Sequence, residues 1–508
     1  MRKPKSRTEY SIRNTTVAFL AQAAAILMGF FTRVVFTHTL SEGYVGINGL
    51  FTDIINILSL SELGVGTAIL FALYEPIAHH DIRKQQMLMQ MFGKFYRMTA
   101  GIVLITGLML APWLEHFMKK RPDVDHLLLI YLLYLFNSVL SYLLVYKKNL
   151  IDAHQMNYVT ILYQNGFLIL QDICQIILLL VTGNFILFLS TGVICTVVAN
   201  LAISKKAENM FPYLKERCRE KLPAEEKKSI YNNIKAMFMH RMGDVIVNNT
   251  DNLLISGYVG VISAGIYSNY YLVIGSVRQV LQQAMQGVSA SVGNLGALED
   301  GEKVHEIYRK LFFAGQWMFG FAGICLFELL NPFVELSFGK QYLFPQSVVL
   351  ILCINFFLNG TRRAMIIYKE SMGLFWYDRY KAVAEAVLNL VISLALVQVL
   401  GVTGVFLGTL CSTVLTSLWV EPYVLYKYRF HWSPIPFFIN YGWNLIVMAA
   451  VWWGTHQVCR LVSGGLFVQL IGKFILCLLL PNLLLVLVYH RTWEYRQWRD
   501  LFIKLVSA

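Results

Sequence analysis

Two stripes of polar side chains interrupt the apolar second half of this sequence. His240, Asp244, Asn248 and Asp251 recur at steps of four, four and three residues, and Arg278, Gln282 and Gln286 at steps of four. Such steps place each set on one face of a helix. Arg241, Asn249 and Asn252 widen the first stripe. An ionisable group deep in a bilayer-spanning helix costs roughly 2.5–3.5 kcal/mol, so it faces water or a partner. Arg278 lies 16 residues from one end of its apolar run and 17 from the other, out of reach of either surface. A guanidinium there suits oxyanions, because its fork meets phosphate oxygens in pairs and it stays charged when buried. Gln282 and Gln286 add amides that can hydrogen-bond hydroxyl groups. The same stripes also fit a buried structural network, with Arg278 paired to Asp244 or Asp251.

The first half offers Arg33, Asp53, Glu62 and Asp172. Arg33 stands five residues from His38, close enough to snorkel to the nearer surface or, with Arg241, to add positive charge to a cavity. Asp53 and Glu62 are nine residues apart and half a turn out of phase, so one face cannot carry both. Glu62 adjoins Gly64 and Gly66, which suits close helix packing as well as it suits a substrate. Asp172 is central in its run, with Gln164, Gln171 and Gln175 nearby, and reads as cavity-lining. Arg362 and Arg363 lie six or seven residues from Lys369, and snorkelling to the surface marked by Lys369 is the expected behaviour.

The elements that must position these groups follow from composition. The chain has 508 residues, 56% hydrophobic and only 14% charged, too apolar for a soluble protein of this length to cover its own surface. Lipid must be part of its solvent. Runs long enough to span a bilayer fall at 14–38, 44–72, 98–117, 127–146, 157–182, 184–204, 230–257, 262–295, 311–335, 345–368, 382–400, 403–425, 438–459 and 466–489. The predicted fold is an all-α polytopic membrane protein of about fourteen transmembrane helices. With both ends in the cytoplasm, the inner segments carry 31 lysines and arginines and the outer loops 5, which satisfies the positive-inside rule. That asymmetry accounts for the net charge of +13 without any nucleic acid. The basic Met1–Arg13 stretch precedes a run too long for a signal peptide and is expected to lead into an uncleaved first helix. The 8 cysteines form no CxxC pair and no cluster with histidine, so neither a disulfide framework nor a metal site is expected.

The longest hydrophilic stretch, 205–229, splits the chain. A shift of 219 residues carries Tyr44-Val-Gly-Ile-Asn-Gly-Leu-Phe onto Ser263-Ala-Gly-Ile-Tyr-Ser-Asn-Tyr and four later spans onto their counterparts. The expected domains are an N-lobe at 1–204, a basic cytoplasmic linker at 205–229, a C-lobe at 230–425, and two further helices with a tail at 426–508. Six helices per lobe make this a parallel repeat about the membrane normal. The shift maps Asp244 onto Ala25 and Arg278 onto Ser59, so the lobes differ chemically.

This arrangement resembles the multidrug/oligosaccharidyl-lipid/polysaccharide (MOP) exporter superfamily. Ser41-Glu-Gly-Tyr-Val-Gly-Ile-Asn-Gly-Leu-Phe, Leu58-Ser-Leu-Ser-Glu-Leu-Gly-Val-Gly-Thr-Ala-Ile and Leu73-Tyr-Glu-Pro-Ile-Ala resemble its polysaccharide-transporter branch, the Wzx-like flippases. The resemblance implies a bacterial cytoplasmic-membrane flippase moving undecaprenyl-(pyro)phosphate-linked oligosaccharide units, working beside glycan polymerase machinery and requiring no cofactor. A lipid pyrophosphate would meet Arg278, Arg241, Arg33, His240, Gln282, Gln286 and Asp172. The resemblance also implies Na⁺ or H⁺ coupling, with Asp244, Asp251, Glu385 and Asn389 as the groups that would hold the ion. A cation-coupled drug antiporter of the same superfamily is the rival transport reading. No GxxxxGK[ST], HExxH or GxSxG occurs, and the outer loops are short for a membrane glycan polymerase, so no enzyme is expected.

Overall fold

The computed structural model describes residues 7–507 except 60–64, 144, 155, 217–219, 221, 229, 232–233, 236–248, 287–300, 373, 375–376 and 379. The described residues form helices and short connections, with no strand among them. Nine helices there are long and apolar enough to cross a membrane, or ten with one bent pair counted as a single span. Their outer faces stay apolar and uncovered: Leu180, Val181, Ile194, Ile439, Leu461 and Leu479 are all well exposed. Apolar surface outside with polar groups inside is the pattern that a hydrocarbon solvent selects. The chain is an all-α multi-pass membrane protein, the fold class that its composition predicts.

Two compact units divide the chain, Met1–Gly265 and Ile266–Ala508. The first contains α1 (Arg7–Thr39), α2 (Glu42–Leu58), α3 (Val65–Ala78), α4 (Ile82–Leu110), α5 (Leu127–Tyr142), α6 (Tyr146–Ala153), α7 (Asn157–Thr182) and α8 (Phe185–Met210). Helix α1 packs along α7, and α5 against α8. Local chemistry sets the breaks. Asp81 caps α4 by accepting from the Lys84 amide at 2.9 Å, and Asn184 caps α8 through the Ile186 amide at 2.8 Å. Between α7 and α8 the chain turns at Gly183, whose φ of +60° places it in the left-handed region glycine adopts at no cost.

Helix α9 (Val261–Gln286) begins in the first unit and continues into the second. Its first turns cross α2 at glycines: a Cβ on Gly265 would lie 2.8 Å from the Gly46 nitrogen. Gly46 and Gly265 are the residues that the 219-residue shift equates, so repeat mates meet each other.

The second unit continues with α10 (Gly301–Phe338), α11 (Gln346–Thr361), α12 (Arg363–Ser371), α13 (Lys381–Leu400), α14 (Val402–Leu415), α15 (Ser417–Leu425), α16 (Ile435–Cys459), α17 (Leu466–Tyr489) and α18 (Trp493–Ser507). Helix α10 touches α11, α16, α17 and α18. Ile324, Val447, Met448, Val451, Leu485 and Tyr489 form one buried cluster where α10, α16 and α17 meet. Two expected spans run through a local irregularity while remaining continuous. In the run at 345–368 it falls at Arg362, between α11 and α12, where the backbone stays helical, and in the run at 403–425 at Thr416, whose φ of −122° and ψ of −80° are not helical although its amide still bonds the Ser412 carbonyl. The Cys459 and Cys477 thiols lie 3.9 Å apart as free cysteines. Among the described residues no three His, Cys, Asp or Glu side chains gather as a metal site.

Candidate functional site

In the first unit, the polar site is a stripe on α2. Asn48, Thr52 and Asn56 follow at steps of four, with Asp53 beside them. Thr52 and Asn56 are exposed although both lie in an apolar helix. The Tyr134 hydroxyl of α5 donates to Asn48 Oδ1. Asp53 accepts from the Asn252 side chain, and Asn56 Nδ2 donates to Asn249 Oδ1 at 3.3 Å. Asn249 and Asn252, predicted to widen the stripe of the seventh span, therefore face α2. Asp251 is buried. Asp172 is half-buried on α7, within hydrogen-bonding reach of Thr32 on α1. The Arg33 guanidinium, also half-buried, sits 5.4 Å from the Phe36 ring centre. His240, Arg241, Asp244 and Asn248 lie outside the described residues.

In the second unit, Arg278 is half-buried on α9, its guanidinium 5.8 Å from the Tyr271 ring centre. Its Nε is buried without a hydrogen-bond partner, and among the described residues no carboxylate pairs with it. Gln282, one turn on, is also half-buried. Gln286 ends α9 and its side chain lies outside the described residues. A guanidinium held this way keeps unspent donors in a low-dielectric setting, where a charge-assisted bond to an oxyanion is strongest.

A second polar centre gathers around Arg362, and it corrects the expectation that Arg362 reaches for the surface. Arg362 is 7% exposed and turns inward. Its Nε and Nη2 grip Glu421 at 3.1 and 2.9 Å. Its Nη1 reaches Asn359 at 3.0 Å and Glu385 at 3.4 Å. Lys381 and Lys369 add charge to Glu421, and Lys369 also pairs with Asp378. Lys369, the residue expected to mark the surface, is itself buried. Three cations thus meet three carboxylates. Burying a charge is tolerable only with such pairing.

Glu385 and Asn389, equated by their i,i+4 spacing, have different partners. Glu385 accepts from Ser417 at 2.5 Å, from Thr413 at 3.2 Å and from Arg362. Asn389 donates to Thr409 at 2.9 Å. A guanidinium therefore already occupies the cation's place beside Glu385. The polar stripe Asn48, Thr52, Asn56 escaped the sequence reading, although its four-residue spacing was present in it.

No family model matches the sequence, and no curated protein matches it either. Solved structures do match in fold. The lipid II flippase MurJ, in an inward closed conformation, superposes with a TM-score of 0.70 at 13% identity over 94% of this chain and 99% of that one. A multidrug resistance MATE family transporter of the MOP superfamily, inward-facing, gives 0.59 at 13% identity over 81% of this chain and 98% of that one. The Vibrio cholerae MATE transporter VcmN, as a point mutant, gives 0.54 at 12% identity over 83% of this chain and 99% of that one.

Proposed function

We propose that this chain, which has the fold of the MOP-superfamily transporters, is a flippase for lipid-linked oligosaccharides in a bacterial cytoplasmic membrane. The observation that carries the reading is Arg278: a guanidinium on α9, central in the apolar run 262–295, partly buried, with a free Nε and no carboxylate beside it among the described residues. A lipid (pyro)phosphate crossing the bilayer must exchange its hydration for fixed positive charge. Arg278 offers that charge where neither surface can. Gln282 on the same face would contact the remainder of a sugar-phosphate headgroup, in a carrier working by alternating access. Arg33 and Asp172, in the first unit, remain substrate-contact assignments from the sequence. His240, Arg241 and Gln286 are assigned to substrate binding on spacing alone. The fold likeness to a lipid II flippase over nearly the whole chain supports a lipid-linked substrate. Both tails are assigned to the cytoplasm, and the lobes to 1–204 and 230–425, with two added helices.

The rival is a cation-coupled drug antiporter. Asp53 and Asp251 in spans, together with the MATE likeness, favour it. Asp244, Asp251, Glu385 and Asn389 are the groups expected to hold a coupling ion; of these, Asp251 is the acidic group in the described residues without Arg362 beside it.

One variant separates these readings. Arg278→Gln should remain in the membrane at normal level yet stop surface-glycan export, with the lipid-linked precursor accumulating. Arg278→Lys should restore only part, since an ammonium lacks the fork. Normal export by Arg278→Gln removes the anion site. Unchanged surface glycan on gene deletion, with new sensitivity to cationic dyes, selects the antiporter.

A further inference from the structure

A cavity of about 610 Å³ lies in the second unit between α10, α16, α17 and α18, and neither Arg278 nor any of the six charged residues around Arg362 lines it. That volume falls within the roughly 300–1,000 Å³ typical of small-molecule sites. Aromatic rings make much of its wall, among them Phe312 and Phe313 from α10, Trp432 before α16, Phe437 and Trp443 on α16, and Tyr489 at the end of α17. The charged side chains Arg309 and Glu494 also line it, but they pair with each other at 2.5 Å and cancel. His305 is bonded to the Tyr426 hydroxyl at 3.0 Å.

Two deep groups on this wall have no partner. The Tyr308 hydroxyl and the Gln316 Nε2 are both buried and make no hydrogen bond, although Gln316 Oε1 accepts from Asn444 at 2.7 Å. A buried donor left unmade costs about 1–3 kcal/mol, so such donors are retained where something supplies an acceptor. The complement of this cavity is therefore uncharged at depth, rich in acceptor oxygens, and apolar around them.

The surroundings decide where that occupant comes from. Asn440 and Trp443 line the cavity and are also exposed, on a face of α16 that continues through Ile439 and Ile446, exposed as well. That face is apolar and is the one hydrocarbon covers. At the other end, Arg309 and Lys310 lie 5.2 and 5.0 Å from the Trp493 ring centre. The Trp498 indole donates to the Lys310 carbonyl at 3.0 Å, and Arg496 and Arg499 follow on α18. Tryptophan with arginine and lysine marks the headgroup boundary of a bilayer. The lining thus joins Arg309, which stands by that boundary, to Trp443 on the apolar face, so its occupant enters from the membrane.

We infer that this cavity is a binding site for a glycerolipid of the bilayer. Its ester carbonyls accept from Tyr308 and Gln316, its acyl chains lie along Phe437 and Trp443, and its headgroup stays beside the α18 cations. The site is separate from the transported substrate, and its readout is lipid occupancy, so it succeeds or fails independently of transport.

The full chain is reconstituted in phosphatidylethanolamine vesicles containing phosphatidylglycerol with a photoactivatable group beside the ester, and crosslinks are mapped by peptide. They should concentrate in 305–316 and 432–444. Asn440→Trp, at an exposed position that tolerates bulk, should fill the exposed side of the cavity and lower crosslinking there about tenfold, equivalent to about 1.4 kcal/mol of lost affinity. Gln316→Met should weaken it with that side still open. Crosslinks spread evenly along the exposed faces of α16 and α17, and unchanged by Asn440→Trp, overturn the site. Displacement by a polyprenyl phosphate but not by excess phosphatidylglycerol overturns the lipid class.

Discussion

Arg362 holds Glu421 with two nitrogens at 2.9 and 3.1 Å across 59 residues of sequence, deep inside the second unit. Arg362 stands between α11 and α12 and Glu421 on α15, and the pair ties these segments to each other. Removing one partner strands the other charge, which costs about 3–5 kcal/mol at a buried site. Glu421→Gln should therefore lower the membrane level of the protein and its melting temperature in detergent. Arg362→Gln alone should do the same. Combining the two should recover part of the loss, whereas additive losses would show that the ion pair is not the shared cause.

The crossing of Gly46 and Gly265 leaves no room for a side chain on either. Overpacking typically costs about 1–3 kcal/mol, more where backbone rather than a flexible side chain stands in the way. Gly265→Leu should reduce folded protein, and Gly46→Leu should do so at least as severely, because its Cβ would meet the Val261 backbone. Gly442, which has nothing nearby, serves as the control, and Gly442→Leu should behave as the native chain does.

Asp53 supplies the acceptor for the Asn252 amide. Asp53→Ala should cost about 1–3 kcal/mol by leaving that amide unpaired. Asp53→Asn keeps an acceptor oxygen and should cost less, read as melting temperature by intrinsic fluorescence. Equal losses for the two would mean that the carboxylate charge, rather than its oxygen, is what the site requires.

Topology is testable by single cysteines and a membrane-impermeant thiol reagent in a cysteine-free background. Cysteines replacing Ser41, Gly183 and Thr403 should label from outside, and one replacing Glu225 should not. Labelling of the Glu225 position from outside would reverse the assigned orientation.

The spans are legible in the sequence because their signal is local: about twenty apolar residues in a row need no partner to be recognised. The all-α fold and the uncovered apolar faces follow from that. Local irregularities within a span are less legible. Nothing about Thr416 by itself announces a non-helical turn, and the uninterrupted apolar run reads as one span. Arg362 misleads for a related reason. Its nearest cation downstream beyond Arg363, Lys369, suggests a surface, but its partners Glu385 and Glu421 come from helices that only the fold brings near. The α2 stripe has a local signature, Asn48, Thr52 and Asn56 at four-residue steps, yet it is easily passed over because none of the three carries a formal charge. Arg278 is legible as a mid-span cation, whereas its lack of a carboxylate partner among the described residues requires the arrangement of its neighbours.

The balance inside the Arg362 network has an electrical consequence. Each elementary charge moved across a membrane potential exchanges about 2.3 kcal/mol per 100 mV. Arg362, Lys369 and Lys381 carry three positive charges, and Asp378, Glu385 and Glu421 three negative ones, all in contact. Displaced together, they transfer no net charge. Only when α13, which carries Lys381 and Glu385, and Asp378 before it move with α11–α12 and α14–α15 does this network shift without electrical work, while a displacement of α9 would carry the charge of Arg278 through the field.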